Sequence, residues 1–114
     1  GYPNLFLTFG PNSGPGHNSA LVYMEAQIDY IVEAVGLIRD RGLTLDVRHD
    51  RQDRYNAEIQ RRLATTTWSS GCNSWYLTPD GYNGTMFPGF ATQFTRLRAR
   101  VELDDYEVAP AGVR

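Results

Sequence analysis

The residues best suited to bind a ligand lie in a short glycine- and proline-rich segment near the amino terminus. Residues 10–16 read GPNSGPG, and neither a helix nor a β-ladder continues through such a run. A helix is predicted directly afterwards, with Asn18 or Ser19 as its N-cap. Unpaired amides and the positive pole at a helix start favour an anion or the polar edge of a ligand. A plain connecting loop is the alternative, because the glycines match neither G-x-G-x-x-G nor a P-loop.

Other reactive side chains are few. Cys72 is the only cysteine and the two histidines, His17 and His49, are far apart, so no intrachain disulfide can form and no metal site is expected. Cys72 is interpreted as a small packing residue, since no partner base can be named. Glu25 and Asp29 stand one turn apart, which fits an acid-base pair or, more simply, a solvated helix face.

The bulk properties narrow the function classes. A length of 114 residues allows one domain, and a net charge of −2, with arginine as every cationic side chain, argues against a nucleic-acid-binding protein. No apolar run approaches the roughly 20 residues of a membrane span. A soluble, cytoplasmic protein without a membrane partner is expected. The start at Gly1, without methionine, suggests a piece of a longer chain.

The predicted elements alternate in an α/β order. Asn4 to Phe9 is predicted as a buried strand, and a long helix is predicted over about Ser19 to Arg41, with Gly42 at its C′ position. Its expected core face is a stripe of residues at helical spacing: Leu21, Met24, Ile28, Ile31, Val35 and Ile38. Leu43 to Val47 alternates apolar and polar residues, as a strand does.

A second helix is predicted to start at an Asp50 cap, with one apolar face and a Glu58–Arg62 pair on the other. The apolar face comprises Tyr55, Ile59 and Leu63, and the helix is expected to end through residues 65–71. Residues 72–90 read as a loop with strand fragments. A third, short helix is predicted from the spacing of Phe90, Phe94, Leu97 and Val101.

Six short runs, in order along the chain, carry a resemblance to a known family. They are residues 3–6 (PNLF), 10–12 (GPN), 16–19 (GHNS), 25–27 (EAQ), 72–76 (CNSWY) and 87–89 (FPG). Together the sequence resembles the C-terminal segment of the flavin-containing (class B) Baeyer-Villiger monooxygenases, nearest the 4-hydroxyacetophenone type. The likeness spans nearly the whole chain, as one unit over residues 1–114.

The resemblance implies two cofactors, FAD and NADP, both of which need domains beyond this segment. It implies that the strand at residues 4–9 and the neighbouring elements complete an FAD-binding domain, with Asn12, His17, Asn18, Ser19 and Ala20 near the flavin ring. For Asn18 and Ser19 a plain N-cap is the alternative, and for His17 a loop-packing role. Trp75 is implied to reach NADP, with a core aromatic as the alternative.

The implied activity is NADPH- and FAD-dependent insertion of one oxygen atom of O2 into a small-molecule ketone, giving an ester or lactone. No catalytic residue is expected within the chain, and Arg48 and Arg51 match no family catalytic position. The isolated chain is therefore expected to be inactive and to self-associate. Two alternatives stay open: an autonomous α/β binding module without catalysis, and a flavin monooxygenase that oxidises nitrogen or sulfur.

Overall fold

The computed structural model describes residues 1–16, 18–69 and 75–112. Its elements in chain order are α1 (Ala20–Arg41), β1 (Leu43–Val47), α2 (His49–Leu63), α3 (Ala91–Leu97) and β2 (Tyr106–Pro110), with single 3-10 turns at Thr67–Ser69 and Leu103–Asp105. This is the mixed α/β class that the sequence predicts. The Cα radius of gyration is 15.6 Å, whereas a compact domain of about 100 residues has about 13 Å.

Helix α1 begins and ends where the sequence predicts. The Ser19 hydroxyl accepts a hydrogen bond from Leu21 N at 3.2 Å, and Gly42 adopts the left-handed conformation with φ 61°, which glycine takes without a steric cost. The predicted core face, however, is only partly covered. Leu21, Ile28 and Val35 are exposed, whereas Met24, Ile31 and Ile38 are half-buried.

The face of α1 that packs inward instead carries Tyr23, Ala26, Gln27 and Ala34, all buried. Tyr23 joins an aromatic cluster with Phe87 and Phe94: its ring centroid lies 4.6 Å from that of Phe94, and the Phe87 and Phe94 centroids are 5.1 Å apart. The buried core therefore has α1, α3 and the loop before α3 around one set of rings. Ile59, Leu63 and Met86 complete it.

Strands β1 and β2 form an antiparallel pair, with Leu43 opposite Pro110 and Val47 opposite Tyr106. β1 is predicted correctly, whereas β2 was not predicted. The strand expected at residues 4–9 is wrong: Asn4 and Phe9 have positive φ, and the segment contains turns. It is joined to β1 at one residue only, since Asn4 N donates to Leu45 O at 2.9 Å and Leu45 N donates to Asn4 Oδ1 at 2.8 Å.

Helix α2 follows the prediction with two corrections. Ile59 and Leu63 are buried and Tyr55 packs against them, but the N-cap position is Arg48, and Asp50 lies in the first turn. The Glu58–Arg62 pair is also wrong. Glu58 pairs with Arg61, because Arg62 turns away and donates to the Pro88 carbonyl at 2.7 Å.

The last predicted helix is shorter than expected. α3 ends at Leu97, and Val101 lies beyond it. In the described part of the loop before α3, Leu77 and Asn83 form one isolated bridge, so the expected strand fragments are reduced to single residue pairs. Among the described residues, no helix is long and apolar enough to cross a membrane.

Candidate functional site around the glycine-rich loop

The glycine-rich loop, residues 10–16, is held by backbone hydrogen bonds to a segment about 70 residues later. Asn12 N donates to Gly84 O at 2.9 Å, Gly14 N donates to Thr85 O at 2.8 Å, and Phe87 N donates to Gly14 O at 3.0 Å. Residues 83–87 thus run beside the loop like a short strand. These hydrogen bonds hold the loop in one backbone conformation, although its glycine-rich composition suggests a flexible backbone.

The Asn12 side chain strengthens this attachment. It is buried, and its Nδ2 donates to the carbonyls of Asn83 at 2.8 Å and Met86 at 2.9 Å. Asn12 itself has φ 52°, a left-handed conformation that asparagine tolerates better than most residues. Its first role is therefore to hold the loop. The contact with flavin that the family resemblance implies for Asn12 stays a prediction.

Asn83 is the centre of this attachment, and no pattern in the sequence indicates it. Its Oδ1 accepts from the amides of Thr85 and Met86 at 3.1 Å each. Its carbonyl also receives Gln60 Nε2 from α2 at 2.7 Å. Because Asn83 is buried, each of these bonds is shielded from water and holds more firmly than a surface bond. Loop and α2 are thereby joined through one residue.

Two glycines of the loop are required by close contacts. A Cβ at Gly14 would lie 2.8 Å from the Thr85 carbonyl oxygen, and a Cβ at Gly16 would lie 2.1 Å from Cζ2 of Trp68. Trp68 is partly buried against the core. The glycines therefore allow the loop to lie directly on its neighbours, which explains their number without any ligand.

The start of α1 directly follows the loop. Asn18 and Ser19 are exposed and Ala20 is half-buried. Val22 N, in the first turn, donates to Ser19 O at 3.2 Å. The Ala20 N–H makes no hydrogen bond within residues 1–16, 18–69 and 75–112, as expected for a first-turn amide. One donor at the positive pole of a 22-residue helix thus has no partner among the described residues.

The remaining predicted site residues lie apart from this group. Trp75 is 99% exposed, so it does not pack in the core of the described chain. No described contact joins Trp75 to the glycine-rich loop or to the start of α1. His17 and Cys72 lie outside the described residues. Glu25 and Asp29 are exposed, as a solvated helix face would be.

Two open clefts border the loop and the helices. One, of about 320 Å³, is lined by Phe9, Gly10, Pro11, Gly14, Gly84 and Thr85. The other, of about 600 Å³, lies between α2 and β2 and contains Arg51, Arg54 and Arg98 together with tyrosines. There the hydroxyls of Tyr30 and Tyr106 are 2.5 Å apart, and burial raises the pKa of both phenols.

Comparison with known proteins gives consistent matches over nearly the whole chain. A Baeyer-Villiger monooxygenase of Pseudomonas aeruginosa is 43% identical over 95% of the chain, and a Baeyer-Villiger monooxygenase of Streptomyces coelicolor is 36% identical over 99%. This chain is a segment of the Baeyer-Villiger monooxygenase family. An FAD-binding monooxygenase of Aspergillus niger is 28% identical over 96% of the chain. No protein-family model matches the chain, and no solved structure is significantly similar to it.

The family segment is short relative to these proteins. The chain spans about a fifth of the length of the relatives it matches, 21% and 23% for the two bacterial proteins.

Pockets that enclose a ligand typically measure about 300–1,000 Å³, and the cleft beside the loop, at about 320 Å³, is at the small end of that range.

The start of α1 fits the polar edge of a flavin, because it offers an amide without a partner in residues 1–16, 18–69 and 75–112 and two exposed polar side chains. The described residues would thus form one wall of a cofactor site in this Baeyer-Villiger segment.

Proposed function

We propose that the polypeptide carrying this chain is an FAD- and NADPH-dependent monooxygenase that inserts one oxygen atom of O2 into a ketone, giving an ester or lactone. The observation that carries the proposal is the 43% and 36% identity to two Baeyer-Villiger monooxygenases over nearly the whole chain. The FAD-binding monooxygenase among the relatives supports the flavin. NADPH dependence and the ketone substrate rest on the family resemblance of the sequence.

The start of α1 is proposed to hold the negative charge that reduced flavin carries at its pyrimidine edge. The Ala20 N–H, which has no partner among the described residues, and the helix pole are held by the Ser19 cap, so they need not reorganise when that charge appears. FAD, when bound, supplies the electron transfer that activates O2. Asn18 and, outside the described residues, His17 belong to the same proposed contact.

Trp75 is proposed to contact NADP. Its exposed ring offers a flat face for stacking and an indole N–H for a hydrogen bond, and neither is used within the described chain. The same exposure would be unfavourable for a tryptophan with no partner, because the ring is large and apolar. A cofactor that covers Trp75 would remove this cost.

The 114-residue chain alone is proposed to be inactive and prone to self-association, since it would contribute walls to a site and no catalytic group. A cytoplasmic location is part of the same proposal. It is compatible with a single cysteine, Cys72, and hence no intrachain disulfide.

The test uses the full-length protein, purified and examined for flavin absorbance, NADPH oxidation and conversion of a panel of ketones. Ketone-dependent NADPH oxidation with an ester or lactone product is expected. Turnover of sulfides or amines alone would place the enzyme among the nitrogen- or sulfur-oxidising relatives. A folded protein that binds no flavin would refute the proposal.

A variant at the start of α1 tests the site. Ala20→Pro removes one N–H at the first helical position, where proline is tolerated, and Ser19 already has the extended backbone (φ −70°, ψ 133°) that a residue before proline prefers. FAD affinity is expected to fall about tenfold, because a hydrogen bond to a charged group is lost. Ala20→Ser, which keeps the N–H, is the matched control and should bind FAD normally. Equal affinity in both variants would contradict the assigned role.

A further inference from the structure

Helix α1 has a second apolar face that the described chain leaves uncovered. Its members are Leu21, Ile28, Val32 and Val35, with exposed fractions of 66%, 45%, 65% and 49%. At about 100° per residue they fall within roughly 60° of one another on the helix. We name these four residues the outer face of α1.

The outer face lies nearly opposite the buried face. Tyr23, Ala26, Gln27 and Ala34 are buried, and their mean direction is about 150° away from that of the outer face. Glu25, Asp29 and Glu33 occupy one flank between the two faces. A helix with two apolar faces is typical of the interior of a protein, where both sides are packed.

The segment before the glycine-rich loop also exposes large apolar side chains. Leu5, Leu7 and Phe9 are exposed at 48% or more, and Phe9 N donates to Gln27 Oε1 of α1 at 2.6 Å, so this segment is attached to the helix. A monomer seldom exposes so many large apolar side chains on neighbouring elements without a partner. The radius of gyration is larger than that of a compact domain, which agrees with a segment that lacks packing partners on one side.

We propose that the outer face of α1 is packed against another part of the same polypeptide, making α1 an interior helix of the parent protein. The occupant is the portion outside this chain, which in the two bacterial relatives amounts to nearly four-fifths of their length. The inference rests on membership of a longer Baeyer-Villiger parent, as the proposed function does. It does not depend on the identity of the cofactor or the substrate.

Cysteine accessibility tests this packing directly. Val32→Cys and Glu33→Cys are adjacent positions, one on the outer face and one on the polar flank about 100° away. Both are introduced into the full-length protein with Cys72→Ala, and the reaction of the Cys72→Ala parent is subtracted as the blank. The rate of reaction with a soluble thiol reagent is then measured under native conditions.

In the full-length protein, the thiol at position 32 is expected to react at least about tenfold more slowly than the thiol at position 33, because a buried thiol reacts only when its site opens. In the same protein unfolded in urea the two rates should be similar. Equal rates in the folded full-length protein would overturn the proposal. Protection that disappears on dilution would also overturn it, since that result identifies a second copy as the occupant.

Charge substitution gives an independent readout. In the full-length protein, Val32→Asp is expected to lower the melting temperature by about 5 °C or more, since it buries an unpaired charge. Glu33→Ala, on the polar flank of α1, is the control and should change it little. These measurements need no flavin, so a flavin-free protein that still protects position 32 would refute the proposed function and leave this inference standing.

Discussion

Replacement of Asn12 tests whether the glycine-rich loop is held by its contacts with residues 83–87. Asn12→Ala removes two hydrogen bonds from Nδ2, to the carbonyls of Asn83 and Met86, at about 0.5–1.5 kcal/mol each. It also places alanine at φ 52°, which costs about 1–2 kcal/mol more. The free energy of unfolding is expected to fall by about 2–5 kcal/mol.

Two further substitutions at the same position separate these contributions. Asn12→Gly loses the hydrogen bonds but adopts positive φ freely, so it should be more stable than Asn12→Ala. Asn12→Asp turns a donor into a buried acceptor that faces two carbonyl oxygens, and it should be the least stable of the three.

Urea unfolding of the polypeptide that carries the chain, followed by circular dichroism, measures these differences. An Asn12→Ala protein within about 0.5 kcal/mol of the parent would refute the reasoning, since that is the scale of an ordinary surface change. A glycine variant less stable than the alanine variant would show that backbone strain plays no part.

Three other substitutions follow from the described contacts. Gly16→Ala forces its Cβ against Trp68 and should lower the free energy of unfolding by about 1–3 kcal/mol. The loss should be smaller in a Trp68→Leu background, and a double-mutant cycle of urea unfolding measures the difference. Phe94→Ala empties the centre of the aromatic cluster and should cost about 3–5 kcal/mol in the same assay. Burial, and then the hydrogen bond to Tyr106, raise the pKa of Tyr30, so stability that is present below about pH 10 should decline above it, where the unfolded phenol ionises. Tyr30→Phe should make that alkaline decline shallower, which urea unfolding between pH 8 and 11 measures. An unchanged slope of the free energy of unfolding against pH would contradict the assignment.

The sequence predicts helix positions here better than it predicts which face of a helix is covered. The bounds of α1 follow from local chemistry, because Ser19 and Gly42 are suited to the two ends of a helix. Which face of α1 is buried does not follow from local chemistry, because Leu21 and Val35 make one side of the helix as apolar as the side that carries Tyr23. Periodicity detects an apolar stripe, whereas its burial depends on what lies beside it.

Pairing over long sequence distances was the other source of error. β2 pairs with β1 across about 60 residues, and nothing within Tyr106–Pro110 identifies that partner. Residues 4–9 have strand-like composition, yet Asn4 and Phe9 adopt positive φ, so no ladder can run through them.

The candidate site was predicted in part. The exposed start of α1 could be anticipated from the break in composition at residues 10–16 followed by a capping residue. The attachment of the loop through Asn83 and Gln60 could not, because isolated polar residues in a loop and on a helix give no local signal. Whether Asn12, Asn18, Ser19, Ala20 and Trp75 contact cofactors stays a prediction.

The hydrogen bonds between residues 12–14 and 84–87 also determine the order of assembly. As the chain emerges from the ribosome, the loop lacks these hydrogen-bond partners until Phe87 has been synthesised, roughly 70 residues after the loop itself. Such non-local closure is slow compared with helix formation. The wall proposed to face the flavin would therefore be among the last parts of this segment to mature, after α1 and α2 have already formed.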